Sequence, residues 1–189
     1  MSSRGFSPSQ FMSNADNLGG LAKTWKFSVQ ILKCPAEITA AGSRIEFLAS
    51  GADLPTKGFA TTEHQTYGIK RTIPYEQTYE AMDIEFHNTN DFTPKKFWDD
   101  WMNLITSPTT YNLSYYKKYT GKIAISHYGD DITEPDPQSS STYTCTLFEA
   151  YPERMSAITL GWGVGELMKF TVSVRYKYWE GKKPPIKYR

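Results

Sequence analysis

Met168, Phe170, Val172, Val174, Tyr176 and Tyr178 stand at every second position near the end of this chain, and Lys169, Thr171, Ser173, Arg175 and Lys177 stand between them. Successive side chains of an extended strand point to opposite faces, so a period of two over this length commits the segment to a sheet. One face is apolar and packs on a core. The other is cationic and polar, and meets water or a partner. The pattern predicts one long strand, longer than a small domain needs for its own core.

The same period recurs upstream. Over Trp25–Ile31, Phe27, Val29 and Ile31 alternate with Lys26, Ser28 and Gln30, and a short strand is expected over Ile45–Ala49. From Tyr79 to Phe86, Met82, Ile84 and Phe86 turn inward while Ala81, Asp83 and Glu85 turn outward. Ile123, Ile125 and His127 mark another strand, and Tyr143, Cys145 and Leu147 a further one, after which Tyr151-Pro152-Glu153 reads as a turn. Residues 56–78 are polar, punctuated by Gly58, Gly68 and Pro74, and fit an extended hairpin. A hairpin this poor in apolar groups needs something to lie against.

One helix interrupts the strands. Thr93 is the expected N-cap, Pro94 takes the first helical position, and Phe97, Trp98, Trp101, Met102, Leu104 and Ile105 form an apolar stripe before Ser107-Pro108 ends it. Paired tryptophans on one helical face are core anchors far more often than a ligand box, so Trp98 and Trp101 are assigned to the core. Residues 1–22, rich in Ser, Asn and Gly, read as a flexible arm; residues 23–180 as the folded domain; and residues 181–189, with Lys182, Lys183, Lys187 and Arg189, as a basic tail. The acidic, proline-broken stretch from Asp130 to Ser141 reads as a loop, and Gly161-Trp162-Gly163-Val164-Gly165 as a flexible bridge.

Composition narrows the function. A chain of 189 residues suits one domain with a real core. The 21 basic and 20 acidic residues leave a net charge of +1, which argues against a general nucleic-acid binder. No apolar run has the length of a membrane span, no hydrophobic signal region follows Met1, and two cysteines, Cys34 and Cys145, are too few for a disulfide framework. The expectation is a soluble protein made in a reducing cytoplasm, with no membrane partner. Aromatic residues make up 15% of the chain, which favours β structure and large contact surfaces.

Catalytic chemistry finds no foothold in the sequence. His64, His87 and His127 lack a second ligand at metal-binding spacing, and Gly161–Gly165 lacks the lysine and hydroxyl of a phosphate loop. Asp83 and Glu85 share a strand face, and Asp99 and Asp100 fall on the solvent side of the helix, so neither pair faces the other across a cleft. The reading is therefore no enzyme, no cofactor and no metal. Charge is uneven, however. Glu76, Glu80, Asp83, Glu85, Asp91, Asp99 and Asp100 crowd one stretch, while the last residues are basic. Opposed patches of this kind fix register when copies associate.

The order of elements carries a resemblance. Asp53-Leu54-Pro55 follows the second strand, then come the polar hairpin, the strand ending Ile84-Glu85-Phe86-His87-Asn88, and the aromatic helix Phe97-Trp98-Asp99-Asp100-Trp101. Ala150-Tyr151-Pro152, the run Ser156–Trp162 and the ending Phe170–Glu180 complete it. Over roughly residues 23–180 the chain resembles the tail tube proteins of contractile-tailed bacteriophages. The resemblance implies a mainly β fold, two packed antiparallel sheets in a β-sandwich or barrel with one flanking α-helix. It also implies hexameric rings that stack into a hollow tube, with sheath and baseplate proteins as partners and genomic DNA in passage. Within that frame Asp83 and Glu85 are candidates to line the bore. Thr62, Tyr67, Lys70, Arg71, Lys182 and Lys183 are candidates for contacts between subunits. The location implied is the virion tail, after assembly in the host cytoplasm. The rival readings are a baseplate tube initiator or the tube of a phage-derived injection machine and, from another class, a monomeric carbohydrate-binding β-sandwich.

Overall fold

The computed structural model describes residues 7–17, 20–38, 45–129, 141–162, 165 and 167–182. Its strands are β1 (Phe27–Lys33), β2 (Ala49–Ala52), β3 (Gly58–His64), β4 (Arg71–Thr78), β5 (Met82–His87), β6 (Gly121–Tyr128), β7 (Ser141–Met155), β8 (Lys169–Arg175) and β9 (Tyr178–Lys182). Helices are α1 (Pro8–Asn17), α2 (Thr93–Ile105) and the single turn α3 (Tyr116–Tyr119).

The 15-residue strand β7 organises the rest. Its first part pairs antiparallel with β6 on one side and β9 on the other, while Tyr151–Met155 pairs with β8. The order β1-β6-β7-β9 thus forms one face of the core, and β7-β8-β5-β2 forms the other. β7 belongs to both. It bends at Glu149, whose φ of 53° is left-handed, and shifts register between Pro152 and Arg154. The strand expected to run unbroken from Met168 to Tyr178 bends with it. β8 ends at Arg175, Lys177 donates its N–H to the Phe148 carbonyl oxygen at 3.1 Å, and β9 starts at Tyr178 on the other sheet. Tyr151-Pro152-Glu153 is accordingly a bend inside a strand rather than a turn.

Both sheets turn their apolar rows onto one cluster. Val29, Ile123, Ile125, Cys145 and Leu147 come from one sheet, and Met82, Ile84, Phe86, Phe170, Val172 and Val174 from the other. α2 closes the core with Phe97, Trp98 and Trp101. The Trp98 and Trp101 rings stack with centroids 5.4 Å apart and planes 3° from parallel, and both residues are 0% exposed. Trp101 Nε1 donates to the Tyr119 carbonyl oxygen at 2.7 Å. Phe92, not Thr93, is the N-cap of α2; its φ is 55°, and Pro94 falls within the first turn. Glycine is needed at position 121, because a Cβ there would meet the Lys33 carbonyl oxygen and lie 2.9 Å from the Trp101 ring.

Two other segments differ from expectation. Ile45–Ala49 is not a strand: Ile45 is fully buried, Glu46–Leu48 form a 3-10 turn, and β2 begins at Ala49. The turn lets Glu46 Oε1 accept the Ile31 N–H at 2.6 Å, satisfying a donor of edge strand β1. Burial pushes the Glu46 carboxyl above its ordinary range, partly offset by that hydrogen bond. The N-terminal stretch read as an arm contains α1, whose Phe11 and Met12 are substantially exposed.

Candidate functional site

The period of two in β5 puts Asp83 and Glu85 on the outer face of the sheet, and antiparallel register sets Ser173 opposite Asp83 and Thr171 opposite Glu85. The groups on this face are joined to one another. Ser173 Oγ donates to Asp83 Oδ1 at 2.5 Å. Ser50 Oγ donates to Glu85 Oε2 at 2.7 Å, and Lys169 Nζ lies 3.3 Å from the same oxygen. Arg175 grips Glu153 with two bonds, Nε to Oε2 at 3.1 Å and Nη2 to Oε1 at 2.9 Å. The Ser50 hydroxyl and then Lys169 hold the Glu85 carboxyl below its usual range, and the Glu153 carboxylate raises Arg175 further. Arg154, Glu153, Asp83, Ser173 and Ala81 line a shallow depression beside them. Asp83, Glu85 and Glu153 thus share this face with Lys169, Arg175 and Arg154, and the formal charges of these six residues cancel.

A second surface is the β3–β4 hairpin, a two-stranded sheet that stands apart from the large one. β4 is exposed along its whole length, and Phe59, Tyr67, Ile69, Ile73 and Tyr75 all show large apolar surface to solvent. Thr62 sits on β3 opposite Ile73, and Arg71 opens β4 opposite His64. Tyr67 lies in the connection between the strands, 98% exposed, and Lys70 pairs with Glu63 at 3.0 Å. Pro74 interrupts the donor row of β4, as an unpartnered edge tolerates. Lys182 ends β9 on the other sheet, opposite Thr144, while Lys183, Lys187 and Arg189 lie outside the described residues.

Hairpin and β7–β8 connection leave the same sheet at opposite ends. The hairpin base is tied down where Tyr176 Oη and Trp179 Nε1 donate to the Thr56 carbonyl oxygen, near the Met82–Val174 pair. The connection departs from the far end, where His87 faces Lys169. There Leu160, Trp162 and Leu167 are strongly exposed around a cavity also bordered by Ile158. The flexible bridge expected at Gly161–Gly165 is thus flanked by an apolar rim that the periodic sequence pattern does not announce. The signal available was Leu160, Trp162 and Leu167 set among glycines without any strand period.

Among the described residues no group of three His, Cys, Asp or Glu side chains could hold a metal ion. Burial pushes the Cys145 thiol up to about 12, which leaves it protonated and inert. No helix of the described residues is long and apolar enough to cross a membrane.

A family model described as phage tail tube protein matches residues 22–182. The chain belongs to that family. Its fold is similar to that of several solved proteins. The anti-feeding prophage tube-terminating cap aligns with a TM-score of 0.62 at 13% identity, covering 87% of this chain and 92% of that one. A protein of the anti-feeding prophage baseplate gives 0.60 at 14% identity, covering 86% and 96%. A chain of the sheath–tube complex of an extracellular contractile injection system gives 0.56 at 14%, covering 95% and 100%. No curated protein matches the sequence. The tail tube subunit is thus a mainly β structural protein of the virion tail.

Proposed function

We propose that this tail tube subunit forms hexameric rings that stack into a hollow conduit, with the charge-paired face of β2, β5, β8 and β7 turned toward the bore. Asp83 and Glu85 would then belong to the channel wall. Thr62, Tyr67, Lys70 and Arg71, on the hairpin, would meet a neighbouring subunit, and Lys182 and Lys183 would stay outside the bore to meet a further subunit or a sheath protein. Residues 23–180 act as the assembling domain, flanked by appendages. Genomic DNA is the cargo. Assembly takes place in the host cytoplasm, with sheath and baseplate proteins added around and below the tube, and the subunit does no catalysis.

The observation that carries this reading is the hairpin. It shows solvent the side chains of Phe59, Tyr67, Ile69, Ile73 and Tyr75 with no core of its own beneath them. Ordering each residue of a strand costs about 1–2 kcal/mol, so an isolated hairpin needs an offsetting contact. Hairpin and apolar rim leave opposite ends of one sheet, so a head-to-tail contact between copies is heterologous and can propagate. Deleting Thr62–Thr72 should leave a folded subunit that no longer polymerises, read by negative-stain microscopy beside circular dichroism. Normal tubes from the deletion variant would refute the reading.

A further inference from the structure

The polar face of β5 and β8 carries cations, and a wall of free lysine and arginine would hold a phosphate backbone strongly at low salt. The two cations of β8 on this face are both engaged by acids from different strands. Lys169 of β8 reaches Glu85 of β5, and Arg175 of β8 is held in a two-point grip by Glu153 of β7. Arg175 offers its planar fork to Glu153, the geometry that would otherwise suit a phosphate. Arg154 lines the depression shared with Asp83 and Glu153. The acids come from positions remote in sequence, so the arrangement is a property of the fold and not of any local run of charge.

We propose that these cross-strand pairs mask the two β8 cations of the face, Lys169 and Arg175, so that a double-stranded polyanion passes over them without being held. Glu85 and Glu153 are the masking residues; Lys169 and Arg175 are the groups they conceal. The inference rests on the reading that this face lines the bore.

The mask is tested on the unassembled full-length subunit, where bore placement plays no part. Exposed ion pairs contribute little to folding, so Glu85→Gln/Glu153→Gln is expected to fold, checked by its thermal transition. The probe is a fluorescent DNA duplex of about 20 base pairs, followed by anisotropy across a salt series. Each freed cation adds about 0.9 to the slope of log affinity against log salt, so the double variant should steepen that slope by about 1.8. Adding Lys169→Gln and Arg175→Gln should return it to the wild-type value. An unchanged slope in the double variant, or a gain that survives loss of both cations, overturns the proposal. Bore placement is read separately, from Thr171→Cys in assembled tubes against wild-type tubes. Labelling along the whole tube by a bulky thiol reagent would refute the placement, whatever the salt series shows.

Discussion

Replacing Trp101 by alanine should remove a large share of this subunit's stability. Trp101 is 0% exposed, stacks on Trp98 at 5.4 Å, meets Phe97 edge-on at 5.7 Å and donates to the Tyr119 carbonyl oxygen at 2.7 Å. Removing a buried aromatic of this size costs about 3–5 kcal/mol, against about 5–15 kcal/mol for a whole domain. At about 2–4 °C per kcal/mol for a chain of this length, the melting temperature should fall by about 6–20 °C. Trp101→Phe separates packing from hydrogen bonding. It keeps an aromatic ring but strips the Tyr119 carbonyl of its donor, at about 1–3 kcal/mol. Trp98→Phe is the matched control, since the Trp98 indole N–H has no protein partner among the described residues. The assay is thermal and urea unfolding of the unassembled subunit, with near-ultraviolet circular dichroism reporting the stacked pair. A Trp101→Ala subunit that melts cooperatively within about 2 °C of wild type would refute the core assignment. A Trp101→Phe variant no worse than Trp98→Phe would refute the role given to the Tyr119 bond.

Gly121→Ala should lower stability by about 1–3 kcal/mol in urea unfolding, because the added methyl would meet the Lys33 carbonyl oxygen and the Trp101 ring, neither of which can yield cheaply; an unchanged midpoint would show that β6 can shift. Glu46 has a carboxyl raised by burial, so its contribution to stability is full below the unfolded-state pKa and declines as pH rises through the folded one. Glu46→Gln keeps an acceptor for the Ile31 N–H without the charge. The wild type should therefore lose ground to it as pH rises above the ordinary carboxylate range, and a melting-temperature difference constant with pH would contradict this.

What the sequence disclosed depended on whether the cause was local. The inward row Met82, Ile84, Phe86 and the stripe around Trp98 and Trp101 follow from periodicity alone, and all five residues are buried. The two-stranded hairpin follows from polar composition between glycines and a proline. The break between β8 and β9 was hidden because Met168 to Tyr178 stays in phase across it. A period of two tells which side a residue faces but not which strand it pairs with. Pro152 misled in the other direction: a residue without an N–H signals a turn, yet here it lies at a register shift where the ladder is already interrupted. A short strand is the expectation for Ile45–Ala49, but the 3-10 turn there buries Ile45 and leaves Phe47 90% exposed. Asp83 and Glu85 could be placed on an outer face from β5 alone. Their companions Ser50, Ser173, Lys169 and Glu153 could not, because register between remote strands is set by the whole sheet.

The bent ribbon of β7 with β8 and β9 links these observations. A strand shared by two sheets fixes their relative position, since sliding one would break the ladder of the other. The bend costs something: Glu149 is held left-handed, a conformation disfavoured by about 1–2 kcal/mol for a residue with a Cβ. Its carboxylate is engaged by Lys177 at 3.1 Å and by the Tyr116 phenol, whose pKa is pushed up to about 12 by burial first and that bond second. The Lys177 N–H to the Phe148 carbonyl closes the same corner from the other strand. Strain at one residue is thus met by bonds from two neighbours, and in exchange the corner does two things. It folds the apolar row of the ribbon onto a single core, and it turns the row Lys169, Thr171, Ser173 and Arg175 outward beside Asp83 and Glu85. Under the proposed function, in which the subunit presents a polar wall and meets copies of itself at both ends, its sheets need to be locked in this way, because a sheet free to slide would carry the wall and the hairpin out of register together.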